Sequence, residues 1–517
     1  MATAPDSRPI EAPGSRGQVA LSLEADSTGQ LFKSKRLGRN AILNAAGMGL
    51  PLLAAVACIP VLIATLGTAR FGVLTLIWAV SSYFSLFDFG LGRVLTQQVA
   101  AAVELREEER VGGLVGTCMA LLLALGALGG ALMSAGADQI AAWIRGQPDA
   151  GETASAVLAM AIALPAVTAT SGLRGVLEAR HKFVAVNAIR LPMGVYTFAG
   201  PVAVVMLAGP RLDLIAWVLC GGRWLAVAAH AVAVVWCTPR DSGRLTFDSR
   251  LLRPLATSGG WMTLSNVVSP LMGYVDRVLL GTLVSATAVA YYATPMELVI
   301  KLSIVPAALT GVLFPAFSAA MARHEPHVIL PVFARSVLWL LCVLWPLCTG
   351  LALFAPELLS LWINRDFAGA SAPLLQMFAF GILVNCLAHV PFTLLQSAGR
   401  ARTTALIHLF ELPLFLAALW LLISHFGVMG AALAWLLRMG VDTLLMFGAS
   451  ARVLGWRVRH WVRPRNLLIA VLCASSFAGV LLPSLAARAV WLGVICAVAM
   501  WLAWRSTGRL HPAVPAT

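Results

Sequence analysis

Long apolar runs separated by short polar segments make up most of the chain. The stretches 111–136, 191–210 and 466–487 contain no Asp, Glu, Lys or Arg. A helix that crosses a bilayer needs about 20 residues of this kind. The runs predict about fourteen such helices, with twelve or thirteen as alternatives because the last run is short. The predicted helices begin near Asn40, Arg70, Val111, Glu152, Asn187, Asp213, Pro254, Ala286, Leu330, Ala372, Thr403, Gly427, Asn466 and Ala489.

The composition supports the same class of protein. Hydrophobic residues make up 59% of the 517 residues and charged residues only 12%, against roughly 45–50% and 25% in soluble domains. This composition excludes an ordinary soluble protein and predicts an all-α integral membrane protein. Residues 1–39 are predicted to form a polar cytoplasmic tail, and the apolar run that follows is too long for a cleaved signal peptide.

Basic residues collect in alternate connections between the predicted helices. The chain carries 37 Lys and Arg against 23 Asp and Glu, a net charge of +14. With the N-terminus inside, 25 of the basic residues fall in predicted cytoplasmic segments and six in external ones. Because cytoplasmic loops of multi-pass proteins are rich in Lys and Arg, this asymmetry indicates a membrane topology. It accounts for most of the net charge without a nucleic-acid partner.

Weak internal repetition divides the chain. Arg39 and Arg253 each precede a Leu-Gly-Thr sequence by 27 residues, at an offset of 214. The Ala-Trp pair at 216–217 recurs at 434–435, at an offset of 218. Two parallel-repeat lobes of six helices are therefore predicted around a central cavity, since an even number of spans gives both lobes one orientation. The predicted regions are a tail at 1–39, an N-lobe at 40–250, a C-lobe at 251–455, and two further helices with a short tail at 456–517.

Four segments resemble a known family of membrane transporters. Residues 66–72 read Leu-Gly-Thr-Ala-Arg-Phe-Gly, and residues 87–92 read Phe-Asp-Phe-Gly-Leu-Gly. Residues 275–281 read Val-Asp-Arg-Val-Leu-Leu-Gly, and residues 427–437 are rich in Gly and Ala and end in Ala-Trp-Leu-Leu. Together they resemble the polysaccharide transporter family of the multidrug/oligosaccharidyl-lipid/polysaccharide exporter superfamily, and the likeness extends over residues 33–455.

This resemblance implies a flippase rather than an enzyme, and it implies no cofactor or metal. The expected substrate is a polyprenyl-diphosphate-linked oligosaccharide, moved by alternating access from the inner to the outer leaflet of a bacterial plasma membrane. The product would serve O-antigen or exopolysaccharide biosynthesis. The expected partners are this substrate, the membrane lipids, and polysaccharide polymerase or export machinery. No motif specifies the sugar.

Basic residues inside predicted helices are candidate substrate contacts, because a charge at bilayer depth costs several kcal/mol unless it is paired or solvated. Arg223, Lys301 and Arg438 lie about 10–15 residues from the predicted outer helix ends, which is near the midplane at 1.5 Å per residue. Arg223 has no charged residue at i±3 or i±4 and is the strongest candidate for contact with a diphosphate. Its offset of 215 from Arg438 predicts that these two cations face each other across the cavity. Arg277 completes the set of candidate cavity cations.

Several carboxylates are candidates for cation coupling or charge balance. They are Asp88, Asp276, Glu297, Glu411 and Asp442. Two of them lie four residues from a basic residue on the same predicted helix, in the pairs Glu297–Lys301 and Arg438–Asp442. Since i,i+4 residues share a helix face, mutual neutralisation is an alternative to a substrate role for these cations.

The adjacent residues Asp276 and Arg277 have two interpretations. Adjacent helical side chains point about 100° apart, so the pair is predicted not to face one neighbouring helix. The pair lies near the predicted outer end of its helix, where contact with lipid headgroups is the alternative to a place in the cavity.

Two other functions fit parts of the sequence. A cation-coupled multidrug exporter would share the two-lobe plan, but such exporters carry a carboxylate in the first helix of a lobe, and residues 40–69 contain none. Asp276 in the second lobe keeps this alternative open. A polytopic glycosyltransferase or polymerase would need an acidic or metal-binding motif on an external loop, and the short predicted external loops contain none. A primary pump is excluded because the chain has no phosphate-binding loop motif.

Overall fold

The computed structural model describes residues 35–83, 90–238, 245–252, 260–323, 326–455 and 464–507. Within these ranges the chain consists of helices joined by short loops, with no β-strand. We call residues 35–252 the N-half and residues 260–507 the C-half. The N-half contains α1 (Lys35–Tyr83), α2 (Leu91–Glu104), α3 (Glu108–Ala135), α4 (Ala137–Trp143), α5 (Ala150–Ala179), α6 (Phe183–Ala208) and α7 (Leu212–Cys237). The C-half contains α8 (Gly260–Leu283), α9 (Ala286–Ile300), α10 (Ile304–Ala322), α11 (Pro326–Leu353), α12 (Ala355–Trp362), α13 (Arg365–Ser397), α14 (Ala401–Val453), α15 (Pro464–Ser476) and α16 (Leu485–Thr507).

Ten segments of the described chain are long and apolar enough to cross a membrane. The predicted class, an all-helical multi-span membrane protein, is therefore confirmed. Three of the ten segments contain a break in the helix: Leu50–Val80, Ala286–Ala322 and Ala401–Val453. The number of spans and their grouping into two lobes of six stay predictions.

The prediction of one continuous second helix is wrong, because the structure shows a new helix starting within that segment. One helix was predicted to begin near Arg70, and the next was predicted to begin only near Val111. The described part of α1 runs to Tyr83, residues 84–89 lie outside the described residues, and a separate helix, α2, starts after Gly90, which has a positive φ of 76°. Glycine adopts this left-handed conformation without the steric cost of a Cβ atom. Arg93 consequently lies exposed in the first turn of α2, and Asp88 lies outside the described residues.

The long helix α14 reverses direction at Gly427. This residue has φ 56° and ψ −130°, a conformation that is not helical and that is accessible essentially only to glycine. A Cβ atom on Gly430 would overlap the carbonyl group of Leu422. In a straight helix these residues would be about 12 Å apart, at 1.5 Å per residue. We conclude that α14 is a hairpin of two antiparallel arms, which agrees with the helix start predicted near Gly427.

Substitution of Gly427 by alanine is expected to destabilise the protein by about 1–3 kcal/mol, because a Cβ atom disfavours this backbone conformation. Gly440→Ala on the second arm is the matched control, since a Cβ atom there meets nothing within 4 Å. The control is expected to be neutral or slightly stabilising. Thermal unfolding of the two purified variants measures the difference in stability between them. Equal stabilities would show that the backbone conformation at residue 427 does not require glycine.

The two halves meet closely at one end of the molecule. A Cβ atom on Gly72 of α1 would overlap the carbonyl of Ala286, the first residue of α9. The backbone N–H of Arg145 donates to the Gly281 carbonyl at 2.9 Å, and the Ala286 N–H donates to the Arg145 carbonyl at 2.8 Å. We call this set of contacts the closed end. Its loops belong to the face that the charge distribution predicts to be external.

Candidate functional site

A cavity of about 300 Å³ lies between the two halves. The N-half contributes residues of α1, α6 and α7, and the C-half contributes residues of α8, α9, the turn after α9, and α12. Four charged residues line this central cavity: Arg223, Arg277, Glu297 and Lys301. The structure therefore brings three of the four candidate cations to one site, with a single carboxylate among the described lining residues.

Arg223 reaches the cavity from α7. The preceding residue, Gly222, packs directly against the ring of Tyr196 on α6, so a side chain at 222 would push the two helices apart. The Tyr196 hydroxyl donates to the Val218 carbonyl at 2.7 Å and fixes the same contact. Within the described part of the chain, Arg223 forms no ion pair or hydrogen bond. It is half-buried and charged, and its guanidinium is available to a ligand.

Arg277, Glu297 and Lys301 form a connected group on the C-half. The Arg277 guanidinium donates to Glu297 at 2.9 Å, and Lys301 donates to the other oxygen of Glu297 at 3.4 Å. The Arg277 side chain is only 4% exposed, whereas those of Glu297 and Lys301 are 38% and 45% exposed. The predicted Glu297–Lys301 pair thus exists, but its carboxylate is shared with Arg277. Lys301 keeps part of its hydrogen-bonding capacity for the cavity.

The rim interpretation of Asp276 and Arg277 is wrong. Both residues are buried, with 2% and 3% exposure, rather than in contact with headgroups. Both also face the same neighbour, α9: Asp276 accepts a 2.6 Å hydrogen bond from the Tyr292 hydroxyl, and Arg277 bonds Glu297. The prediction that two side chains 100° apart cannot face one helix was wrong. Their partners on α9, Tyr292 and Glu297, are five residues apart, so α9 reaches both side chains.

Tyr292→Phe is expected to destabilise the protein by about 1.5–3 kcal/mol, since it removes a hydrogen bond to a buried carboxylate. The neighbouring Tyr291 provides the control. Its ring packs against Phe367, and its hydroxyl forms no hydrogen bond within the described residues, so Tyr291→Phe should change stability little. Chemical denaturation of both variants makes the comparison, and a Tyr292→Phe protein as stable as the control would show that the bond contributes nothing.

Arg438 is not among the described residues that line the central cavity, so the structure does not place it opposite Arg223. Its guanidinium donates to the Met272 carbonyl of α8 at 3.2 Å and lies 5.2 Å from the centre of the Phe415 ring. The predicted neutralisation by Asp442 is not realised as a direct contact. Asp442 instead lies 3.5 Å from the imidazole of His408, on the other arm of the α14 hairpin.

Glu411 joins His408 and Asp442 in a compact group, here called the α14 triad. One ligating atom from each of the three residues lies within 4.8 Å of the others. Our sequence reasoning did not identify His408. The sequence feature that could have revealed His408 is its i,i+3 spacing from Glu411, which places both residues on one helix face. That spacing does not predict the hairpin that brings Asp442 to the same place.

Aromatic side chains of the cavity were also missed. Phe71, Trp78, Phe198, Tyr274 and Trp362 line it. The Trp362 indole donates to the Val56 carbonyl of α1 at 2.8 Å and so joins the halves, and the Arg277 guanidinium lies 5.2 Å from the Tyr274 ring centre. Most of these residues sit in apolar runs where sequence alone does not separate lipid-facing from cavity-facing positions.

These features define a polytopic helical membrane protein with a cationic, aromatic-lined cavity between its two halves. The sequence model of polysaccharide biosynthesis proteins matches residues 61–372. The chain belongs to this family, and the predicted membership of a polysaccharide transporter family is confirmed. The chain is 28% identical over 416 residues to the "Putative O-antigen transporter" of Shigella flexneri, covering 79% of this chain and 96% of that protein. It is 24% identical over 221 residues to the "Probable low-salt glycan biosynthesis flippase Agl15" of Haloferax volcanii, covering 42% and 46%.

Solved structures share the fold at low sequence identity. An inward-facing multidrug resistance transporter of the MATE family superimposes with a TM-score of 0.68 at 13% identity, covering 79% of this chain and 94% of that one. The lipid II flippase MurJ in an inward closed conformation superimposes with a TM-score of 0.64 at 13% identity, covering 91% and 99%. The fold is therefore that of the superfamily to which these transporters belong.

Proposed function

We propose that this protein is a flippase that moves a polyprenyl-diphosphate-linked oligosaccharide across the bacterial plasma membrane. The observation that carries the proposal is the central cavity, where Arg223 of the N-half and Arg277 and Lys301 of the C-half converge. The relatives named for O-antigen transport and for a glycan flippase support the substrate class. The sugar is left open.

The charge of the cavity favours an anionic headgroup. Its described lining holds three cations and one carboxylate. A diphosphate diester carries two negative charges and several acceptor oxygens, and Arg binds such oxygens through charge-assisted, often bidentate hydrogen bonds. A cationic drug would meet repulsion from the same residues. The cavity therefore suits the lipid-linked sugar better than the substrates of a multidrug exporter.

Glu297 limits how tightly the headgroup is held. It already accepts hydrogen bonds from Arg277 and Lys301, so phosphate oxygens must compete with a carboxylate for these donors. A transporter has to release its cargo as well as capture it. A cavity of only cations would bind the diphosphate more strongly and release it more slowly.

The size and lining of the cavity indicate which part of the substrate enters it. A volume of about 300 Å³ is at the lower end of the range for small-molecule sites. In this conformation the cavity accommodates the diphosphate and the adjoining sugar, and the aromatic rings provide apolar faces for the sugar. The polyprenyl chain remains in the lipid, because transferring its apolar surface into a polar cavity would be unfavourable.

The closed end supports alternating access. The contacts of Gly72, Arg145 and Ala286 seal the face that the charge distribution predicts to be external. With a cytoplasmic N-terminus, this conformation corresponds to a state closed to the outside. In this proposal each half moves as a lobe of six helices. When the two lobes separate at the closed end, the same cavity becomes exposed to the outer leaflet.

Equilibrium binding to the purified protein tests the substrate class. A short-chain isoprenyl-diphosphate sugar is expected to bind more tightly than the corresponding monophosphate, and its affinity is expected to fall as salt concentration rises. A cationic dye of similar size serves as the exporter-type ligand. Tighter binding of the dye than of the diphosphate would overturn the flippase proposal in favour of a multidrug exporter.

A further inference from the structure

Trp362, the last residue of α12, connects the two halves beside the central cavity. Its indole N–H donates to the Val56 carbonyl of α1 at 2.8 Å, and its ring lines the cavity. The short helix α12 lies in the connection between α11 and α13, on the face that the charge distribution predicts to be external. Trp362 therefore lies between the cavity and the external face.

Pro60 makes the Val56 carbonyl available for this contact. In an α-helix the carbonyl of residue 56 accepts a hydrogen bond from the backbone N–H of residue 60. Proline has no N–H, and Pro60 lies inside α1, so this helical hydrogen bond is missing. The Trp362 indole of the other half supplies the donor that Pro60 lacks.

The Trp362 contact is farther from the break in α1 than the closed end is. Gly67 interrupts α1 with φ 76° and ψ 162°. Val56 lies 11 residues before Gly67, which is about 16 Å of helix at 1.5 Å per residue. Gly72, whose contact with Ala286 belongs to the closed end, lies only five residues after it. The hydrogen bond of Trp362 is thus a second, inner layer of closure between the halves.

Apolar contacts surround this hydrogen bond. Trp362, Ile363 and Phe367 pack against a buried core that N-half residues mainly form. In apolar surroundings, an indole N–H and a backbone carbonyl are each unfavourable without a partner. One hydrogen bond satisfies both groups while the halves are together, and both depend on water after the halves separate. The net contribution of a typical intramolecular hydrogen bond corresponds to a preference of about 2- to 12-fold for the closed arrangement.

We propose that Trp362 is a gating residue of the transport cycle, and that its hydrogen bond to the carbonyl freed by Pro60 holds the outer side of the cavity closed. The bond must break each time the cavity opens to the outside. This inference rests on the proposed function for the alternation of access, but not for the identity of the cargo. Access to the cavity is measurable without any oligosaccharide.

Two substitutions disturb the bond in different ways. Trp362→Phe removes the donor and keeps an aromatic ring. Pro60→Ala leaves the tryptophan intact but supplies an N–H to the Val56 carbonyl, which is then satisfied whether the halves are together or apart. Trp345→Phe is the tryptophan control, because that indole bonds a serine within the C-half at 2.8 Å. Pro373→Ala is the proline control, since Pro373 is an exposed residue inside α13 and is not among the described lining residues of the cavity.

Labelling from outside the cell with a membrane-impermeant thiol reagent measures the opening. The full-length protein carries Thr294→Cys in the cavity and alanine at Cys58, Cys237 and Cys496, the natural cysteines that are not buried. Trp362→Phe and Pro60→Ala are each expected to be labelled about 2- to 12-fold faster than this parent protein, and the two controls at its rate. In the double variant the increase should be smaller than the product of the two single increases, because both substitutions act on one bond.

An unchanged labelling rate in Pro60→Ala would overturn the gate even if Trp362→Phe is labelled faster, because a smaller ring alone would then explain the entry of the reagent. Single effects that simply multiply in the double variant would also overturn it. The test is separate from that of the cargo. If the variants are labelled as expected but the wild-type protein flips no lipid-linked oligosaccharide in liposomes, the gate stands and the flippase function is rejected.

Discussion

Arg223→Ala is expected to reduce transport of the lipid-linked oligosaccharide by about 10- to 100-fold, the cost of removing one charged partner from a diphosphate contact. The expected stability is unchanged or slightly higher. Arg223 forms no ion pair or hydrogen bond in the described structure, so its removal breaks no polar interaction there and relieves the desolvation of a half-buried charge. Polysaccharide output at matched protein level, together with thermal unfolding, separates the two effects.

Arg400→Ala is the matched control for Arg223→Ala. Arg400 is an exposed cation in the connection between α13 and α14, away from the cavity, and its replacement should leave transport near the wild-type level. Arg223→Lys should recover part of the activity, because it restores the charge but not the bidentate geometry. Wild-type output from Arg223→Ala would remove this residue from the transport mechanism.

Gly72→Ala is expected to prevent the closed end from forming. The new Cβ atom would overlap the backbone carbonyl of Ala286, and two backbones cannot move aside as a flexible side chain can. An overlap worth about 3 kcal/mol would shift the population toward the open state by more than 100-fold. Transport should then fall strongly although every cavity residue is intact, because alternating access requires both states.

Labelling from outside the cell measures this shift. Thr294 lines the cavity and is 2% exposed, so Thr294→Cys should react with a membrane-impermeant thiol reagent only when the outer end opens. The natural cysteines that are not buried are first replaced by alanine: Cys58, Cys237 and Cys496. Gly311→Ala is the control, since a Cβ atom there meets nothing within 4 Å. Equal labelling and transport in Gly72→Ala and Gly311→Ala would show that this contact does not govern access.

The helical architecture could be predicted because apolar run length and charge position directly reflect the bilayer. Gly427 was correctly identified as a helix start, and the structure shows that it forms a hairpin. The new helix after Gly90 was missed because the apolar pattern of the sequence continues past this residue, and only the backbone conformation of Gly90 marks the start of α2. Periodicity identifies where apolar residues recur, but it does not report a local change of direction.

The candidate site was predicted only as far as single helices allow. Depth in the membrane and the absence of a charged residue one turn away singled out Arg223, which lines the cavity. The same reasoning paired Arg438 with Asp442, but i,i+4 spacing permits a contact without requiring it. Asp442 approaches His408 and Arg438 binds the Met272 carbonyl, because neighbouring helices offer these partners. Such partners depend on tertiary packing, which spacing along one helix does not contain.

Reconstitution provides the most direct measurement of the central claim. Purified protein and a polyprenyl-diphosphate-linked oligosaccharide are placed in liposomes, and a membrane-impermeant glycosidase reports how much sugar lies in the outer leaflet. We predict that the protected inner-leaflet fraction becomes accessible over time with the wild-type protein, becomes accessible about 10- to 100-fold more slowly with Arg223→Ala, and remains protected in protein-free liposomes. An inner-leaflet fraction that stays protected in the presence of folded, substrate-binding wild-type protein would contradict the flippase function.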